Sequence, residues 1–264
     1  MIYEGQNGEL RGNGNGNGKV KGKRFGVLLC AEESGYIKEK YGGYFGVFER
    51  MLSEEGESWD VFRVARNEFP NDEEIQEYDG FVITGSCSDA HSNELWICKL
   101  LSLLHKLDFL KIKVLGICFG HQILGRSLGG QTGRAKSGWD IGLRTINFSL
   151  SSKEDLPNRQ IFTMLNIIEC HQDEILELPE KVEVIGGSNK TAVEMFRYGD
   201  HMMGIQGHPE YNTDILLHLI DRLLQKGLIG VNYADELRAK FKEAGEPDME
   251  AWRKLCVGFL KGRL

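Results

Sequence analysis

One stretch, residues 113–125, constrains this chain more than any other. An apolar run, Val114-Leu115-Gly116-Ile117, ends at Cys118, and Ile123, Leu124 and Leu128 then recur at helical spacing. The pattern predicts a buried strand that turns into a helix within one residue. Gly116 and Gly120 stand two places before and two places after Cys118. That is the spacing of a nucleophile elbow, with sulfur in place of the more familiar oxygen. A strained strand-to-helix turn tolerates almost no bulk at those two positions, because a side chain there would strike the turn or the substrate. A glycine-flanked core cysteine at a strand end would share the motif, so the elbow needs support from elsewhere in the chain. If the elbow forms, Cys118 sits at a helix N-terminus, which predicts a thiol pKa drawn from about 8.5 toward neutrality.

The rest of the chain predicts an α/β fold. Residues 25–30 form a short apolar run between charged flanks and read as a buried parallel strand. Residues 59–64, 79–84 and 112–117 read as further strands. Between them, 44–55 carries Phe45, Phe48, Met51 and Leu52 on one stripe, and 95–104 is apolar nearly all round, as in a buried helix. This alternation predicts an open, mostly parallel sheet with helices on both faces. From 141 to 148 and from 181 to 197 the pattern shifts to short β-rich segments, which predict a small antiparallel extension. Residues 202–206 read as one more short strand. Asn212 caps a helix with Ile215, Leu216, Leu219, Ile220, Leu223 and Leu224 on one face and Gly227 at its stop. Two more helices are expected around Pro247. The domain reading is a Gly/Asn-rich disordered tail over 1–23, then a single domain over 24–264 with a C-terminal helical extension.

Composition excludes several classes. A net charge of −7 over 264 residues argues against nucleic acid as a partner, since phosphate repulsion is not offset. No apolar run approaches the roughly 18 residues needed to span a bilayer, and the tail lacks the apolar segment of a secretory leader. Six scattered cysteines without paired spacing fit a reduced intracellular protein, and all but Cys118 read as small buried hydrophobes.

A second motif supplies a base. Gly204-Ile205-Gln206-Gly207-His208-Pro209-Glu210 reads as a strand that delivers His208 to its C-terminal end. In extended chain, residues two apart face the same way, so Glu210 can accept from one imidazole nitrogen and leave the other for the thiol. A satisfied loop histidine would look the same in isolation. Together, however, Cys118 and His208 fall on the C-terminal edge of one parallel sheet, the edge where open α/β folds bind ligands. His121, in the first turn after the elbow, borders the site but ranks behind His208 as the base.

The segment 116–122, Gly-Ile-Cys-Phe-Gly-His-Gln, and Gly207-His208-Pro209-Glu210 resemble the nucleophile and His-Pro-Glu motifs of class I glutamine amidotransferases. The run Gly80 to Ser86 is similar to that family's oxyanion strand, and His171-Gln172-Asp173 to its His-x-Asp segment. The resemblance spans roughly residues 25 to 225. It implies a flavodoxin-like fold and a Cys118–His208–Glu210 triad. It also implies an oxyanion hole from the backbone N–H groups of Gly85 and Phe119, with substrate contacts from Gln122, His121, Ser86 and His171. It requires no metal or organic cofactor. Asp140 stands where many relatives carry Glu, and Thr84-Gly85-Ser86 replaces Gly-Gly-Pro. These details, with the sequence from Gly85 to Ala90 and from Trp252 to Lys261, look most like plant γ-glutamyl peptidases. Those enzymes hydrolyse the γ-glutamyl bond of glutathione and its S-conjugates in the cytosol, some of them in glucosinolate metabolism.

The expectation is therefore a cytosolic hydrolase acting on a small γ-glutamyl substrate, with no nucleic-acid or membrane partner. The alternative is a glutaminase subunit that supplies ammonia to a separate synthetase. A non-enzymatic binding protein on the same fold is a more distant possibility.

Overall fold

The computed structural model describes residues 22–149 and 163–264. Residues 1–21 of the expected tail, its Gly/Asn repeat included, lie outside the described residues. The sheet starts from strands short enough and apolar enough to be covered on both sides. Five run parallel: β1 (Arg24–Leu28), β2 (Ser58–Phe62), β3 (Gly80–Ile83), β4 (Lys113–Ile117) and, much later in the chain, β11 (Met202–Ile205). Side chains alternate along each strand, so Phe81, Ile83 and Val114 enter one core while Val82, Leu115 and Ile117 enter another. The first core is closed by α3 (Leu95–Phe109) and α4 (Phe119–Ser127), the second by α2 (Gly43–Leu52) and α7 (Met249–Leu260).

Beyond β11 the sheet turns antiparallel through β10 (Met195–Tyr198), β9 (Glu183–Gly187), β6 (Asp140–Phe148) and β7 (Met164–His171). The full order is β2-β1-β3-β4-β11-β10-β9-β6-β7. A separate two-stranded sheet pairs β5 (Gln131–Arg134) with β8 (Asp173–Glu177). The expected mostly parallel sheet with helices on both faces and an antiparallel extension is what forms. The extension is larger than the sequence suggests, because β5, β7 and β8 carry charged and polar residues that mask their strand character. Helix α1 (Gly35–Tyr41) was likewise not foreseen, since its seven residues offer only Ile37 to the interior.

Helix α5 (Thr213–Gln225) begins where expected: Asn212 Oδ1 accepts from the Ile215 N–H at 3.0 Å, an N-cap worth about 1 kcal/mol. Its apolar stripe packs with Ile37, Ile229 and Leu237 of α6 (Val231–Glu243) in a third core. Two expectations fail. The segment 95–104 is not a buried helix: Leu95 is 67% exposed, and Cys98, Lys99 and Ser102 also face solvent. The cysteines are not all core residues either, since Cys87 and Cys98 are exposed. Among the described residues no helix is long and apolar enough to cross a membrane.

Candidate functional site

The elbow forms as the spacing predicts. The Cys118 N–H still bonds to Ile205 O across the sheet at 2.9 Å, while its carbonyl accepts the first helical bond, from Gln122 N–H, at 3.0 Å. Serving both elements forces Cys118 to φ 55° and ψ −105°, a conformation that L-residues rarely adopt and that costs of order 1–3 kcal/mol. The flanking glycines are required by contact. A Cβ on Gly116 would lie 2.4 Å from Gly120 O, and one on Gly120 would lie 2.4 Å from Ile83 O. Both obstacles are backbone and cannot swing away.

The structure corrects the expectation about the thiol. Burial pushes the Cys118 pKa well above its ordinary value, the neighbouring acidic groups Cys170, Glu169 and Glu210 add to it, and the Phe119 N–H opposes them. These surroundings favour the protonated thiol, so a thiolate has to be made by transfer to a base.

His208 reaches the site by a route that differs from simple strand extension. Strand β11 ends at Ile205, and the chain bends before His208 forms an isolated antiparallel bridge to Ile168 of β7, with its N–H donating to Ile168 O at 2.8 Å. Pro209 and Glu210 then occupy a turn closed by Tyr211 N–H to His208 O at 3.3 Å. The turn, rather than strand alternation, folds Glu210 back so that His208 Nδ1 donates to its Oε1 at 2.8 Å. The other edge of the ring faces the elbow. A Cβ built on Gly85 would sit 3.0 Å from His208 Cε1, 3.9 Å from His208 Nε2 and 3.7 Å from Cys118 Cβ. Gly85, the imidazole and the cysteine thus meet at one point, and a larger residue at 85 would separate them. Tyr211 stacks flat on the imidazole, with centroids 3.9 Å apart and an interplanar angle of 3°.

These groups open onto a cavity of about 250 Å³ that is also lined by Ser86, Gln122, His171 and Asp173. Thr84 and Ser86 pin the loop after β3 to the end of β1, through Cys30 N–H to Thr84 Oγ1 at 3.0 Å and Ser86 Oγ–H to Cys30 O at 2.7 Å. Gln122 is buried and donates to Asp173 O at 2.8 Å and Gln206 Oε1 at 3.1 Å. Phe119 is buried against Trp96, and its N–H opens the first turn of α4, where backbone donors lack intrahelical partners. His121 does not join them. It is fully buried beneath β11, bonded through Nε2 to Val193 O and packed on Phe196, and burial lowers its pKa to about 3. Adjacent helical positions are about 100° apart, so the turn that aims Gln122 at the cavity points His121 beneath β11 instead.

Sequence reasoning missed an acidic layer under the cavity. Glu169, Glu194 and Asp140 are each almost completely buried. Asp140 is answered by Arg144 at 2.7 Å. Glu169 and Glu194 converge there, and burial raises both pKa values, that of Glu194 to about 9. Glu169 also lies 3.3 Å from His171 Nε2, while His171 Nδ1 donates to Asp173 O at 2.9 Å. Among the described residues two groups have donor atoms converging within 4.8 Å, Glu169–His171–Glu194 and Asp89–His91–Asp173, a spacing that could hold a cation. In the first, burial favours neutral carboxyls. In the second, Arg134 balances the charge, at 2.8 Å from Asp173 and 3.3 Å from Asp89. The alternation of Glu169 and His171 on one strand face was the available clue.

A family model described as glutamine amidotransferase class-I matches residues 37–216. The chain is 50% identical to gamma-glutamyl peptidase 5 of Arabidopsis thaliana over 91% of its own length and 96% of that protein. It is 46% identical to gamma-glutamyl peptidase 3 of the same plant, over 91% and 97%. A glutamine amidotransferase from Thermotoga maritima shares the fold with a TM-score of 0.66 at 21% identity, covering 89% of this chain and 96% of that one.

Proposed function

The chain belongs to the class-I glutamine amidotransferase family, and from that premise we propose that it is a γ-glutamyl hydrolase with Cys118 as nucleophile, His208 as base and Glu210 as the group that orients it. The observation that carries this reading is the meeting point at Gly85. There an imidazole locked by Glu210 at 2.8 Å turns its free edge toward a cysteine on a strained elbow. The high identity to two gamma-glutamyl peptidases supports the bond that is cut.

In this reading His208 Nε2 takes the thiol proton as Cys118 Sγ attacks the γ-carbonyl. The N–H groups of Gly85 and Phe119 hold the oxyanion, each worth a few kcal/mol in comparable sites. The imidazolium, stabilised by Glu210, then gives its proton to the leaving nitrogen, and the C–N bond breaks. A γ-glutamyl thioester remains on Cys118. Water, deprotonated by His208, attacks it, the C–S bond breaks, glutamate leaves, and Cys118 Sγ takes the proton back from His208. The protonated resting thiol fits this sequence, because charge separates only when a substrate has displaced water. The substrate we assign is glutathione or an S-conjugate, which leaves a Cys-Gly peptide. We place the reaction in the cytosol, which is consistent with six free cysteines.

The test is glutamate release by the purified protein from glutamine, glutathione, S-substituted glutathiones and folate polyglutamates, beside Cys118→Ala. Release from the γ-glutamyl peptides, lost in the variant while its circular dichroism is unchanged, is expected. Turnover confined to glutamine would favour the ammonia-supplying alternative. Near-normal rates in Cys118→Ala would reject the nucleophile.

A further inference from the structure

The cavity has two unlike walls. One carries Gln122, Asp173, Gln172, Arg134 and Asp89, and its cation is already answered: Arg134 holds Asp173 Oδ1 at 2.8 Å, Gln172 Oε1 at 2.8 Å and Asp89 Oδ1 at 3.3 Å. The other is made by the end of α5 and the chain just after it. There Leu219, Leu223 and Leu228 alternate with Arg222 and Lys226, and Trp139 closes the side. Among the described residues no carboxylate pairs with either Arg222 or Lys226. Leu228 is 53% exposed although it lines the cavity. An apolar wall with two unanswered positive charges is built for a group that is itself part apolar and part anionic.

The chemistry decides which part of a substrate meets which wall. His208 has to pass a proton to the leaving nitrogen, so the leaving group departs on the imidazole's side. Tyr211, stacked on that imidazole, packs in the same apolar cluster as Leu219, Leu223 and Trp139. The wall from α5 is therefore continuous with the proton donor. Gln122 lies one helical turn from Cys118 and is tied to Asp173 O, which puts the first wall around the acyl half.

We propose that Arg222 and Lys226, with Leu219, Leu223, Leu228 and Trp139, form the leaving-group subsite and select short peptide amines that carry an apolar substituent and a free C-terminal carboxylate. The inference rests on the γ-glutamyl hydrolase reading and adds to it the residues that discriminate among substrates. Charge-assisted contacts to a carboxylate of this kind commonly change recognition by about tenfold, and exposed ones weaken as salt is added.

The experiment compares kcat/KM for γ-glutamyl-(S-benzyl)cysteinylglycine and for its C-terminal amide, in the wild-type protein and in Arg222→Gln/Lys226→Gln. The wild type is expected to prefer the free acid by about tenfold, less so in 1 M salt, and the ratio is expected to collapse toward one in the double variant. Lys226→Glu, a change at an exposed position, gives an independent check and is expected to favour the amide. If the wild type hydrolyses both substrates without preference, or if the preference survives both variants, the subsite is wrong while the hydrolase reading stands. If the wild type hydrolyses neither, the hydrolase reading itself falls and the subsite with it.

Discussion

Two histidine–glutamate pairs lie side by side beneath this cavity, and they are built from the same parts. Each joins residues two apart in sequence, each is buried, and both histidines face the cavity. In one, His208 gives Nδ1 to Glu210 at 2.8 Å and keeps its other edge for Gly85 and Cys118. In the other, His171 gives Nδ1 to a backbone carbonyl at 2.9 Å and turns Nε2 toward Glu169 at 3.3 Å, so its second nitrogen faces a buried carboxyl rather than the thiol. The difference lies in where the second nitrogen points. A carboxylate beside an imidazole prepares it for proton transfer only when the remaining nitrogen faces a reacting atom.

The comparison breaks if the two histidines behave alike. His208→Asn is expected to lower kcat by about 10⁴-fold with little change in the urea midpoint, the loss typical of a removed general base. Equal activity losses in His208→Asn and His171→Asn would end the distinction. His171→Asn is expected to show the opposite profile, with activity within about tenfold of wild type but stability lower by about 2 kcal/mol, because buried Glu169 loses a partner. Urea unfolding with a parallel activity assay separates the two outcomes.

A smaller effect sharpens the role of the second pair. Folding keeps a proton on Glu194 that the unfolded chain releases near pH 4.5, because burial and the neighbouring Glu169 raise the folded value to about 9. The stability this group contributes is complete below pH 4.5 and is lost as the pH rises toward 9. Over that window one such proton weakens folding by about 1 kcal/mol per pH unit. Glu194→Gln keeps the shape without the titration, so its unfolding free energy is expected to fall less steeply between pH 6 and 9. An unchanged slope would mean that Glu194 is ionised in the folded protein.

The same contrast separates what could be read in the sequence from what could not. The elbow was legible because it is local: a strand, two glycines at fixed offsets and a helix stripe fall within thirteen residues. The end of α5 was legible for the same reason, through Asn212 and Gly227. The partnership of His208 and Glu210 was read correctly but for a different geometry, since a proline turn brings together what strand alternation was expected to align. The acidic layer stayed hidden. Glu169 and Glu194 belong to strands that share no local motif, and a buried carboxyl violates the hydrophobic pattern by which strands are recognised. His121 misled for the converse reason: it lies within the motif, yet α4 turns its side chain away from the cavity. The wall of Arg222 and Lys226 looks in sequence like the polar face of an ordinary helix end, where cations complement the dipole.

The short bridge from His208 to Ile168 sets an order of events. The elbow turn is local in sequence, but its Cys118 N–H bonds to Ile205 O on β11, and the imidazole just beyond β11 is anchored to a strand forty residues upstream in the antiparallel half. Non-local pairings of this kind form late. Elbow and base are thus completed together, when β11 joins the sheet, and until then the sulfur would stay chemically quiet among the cell's amides.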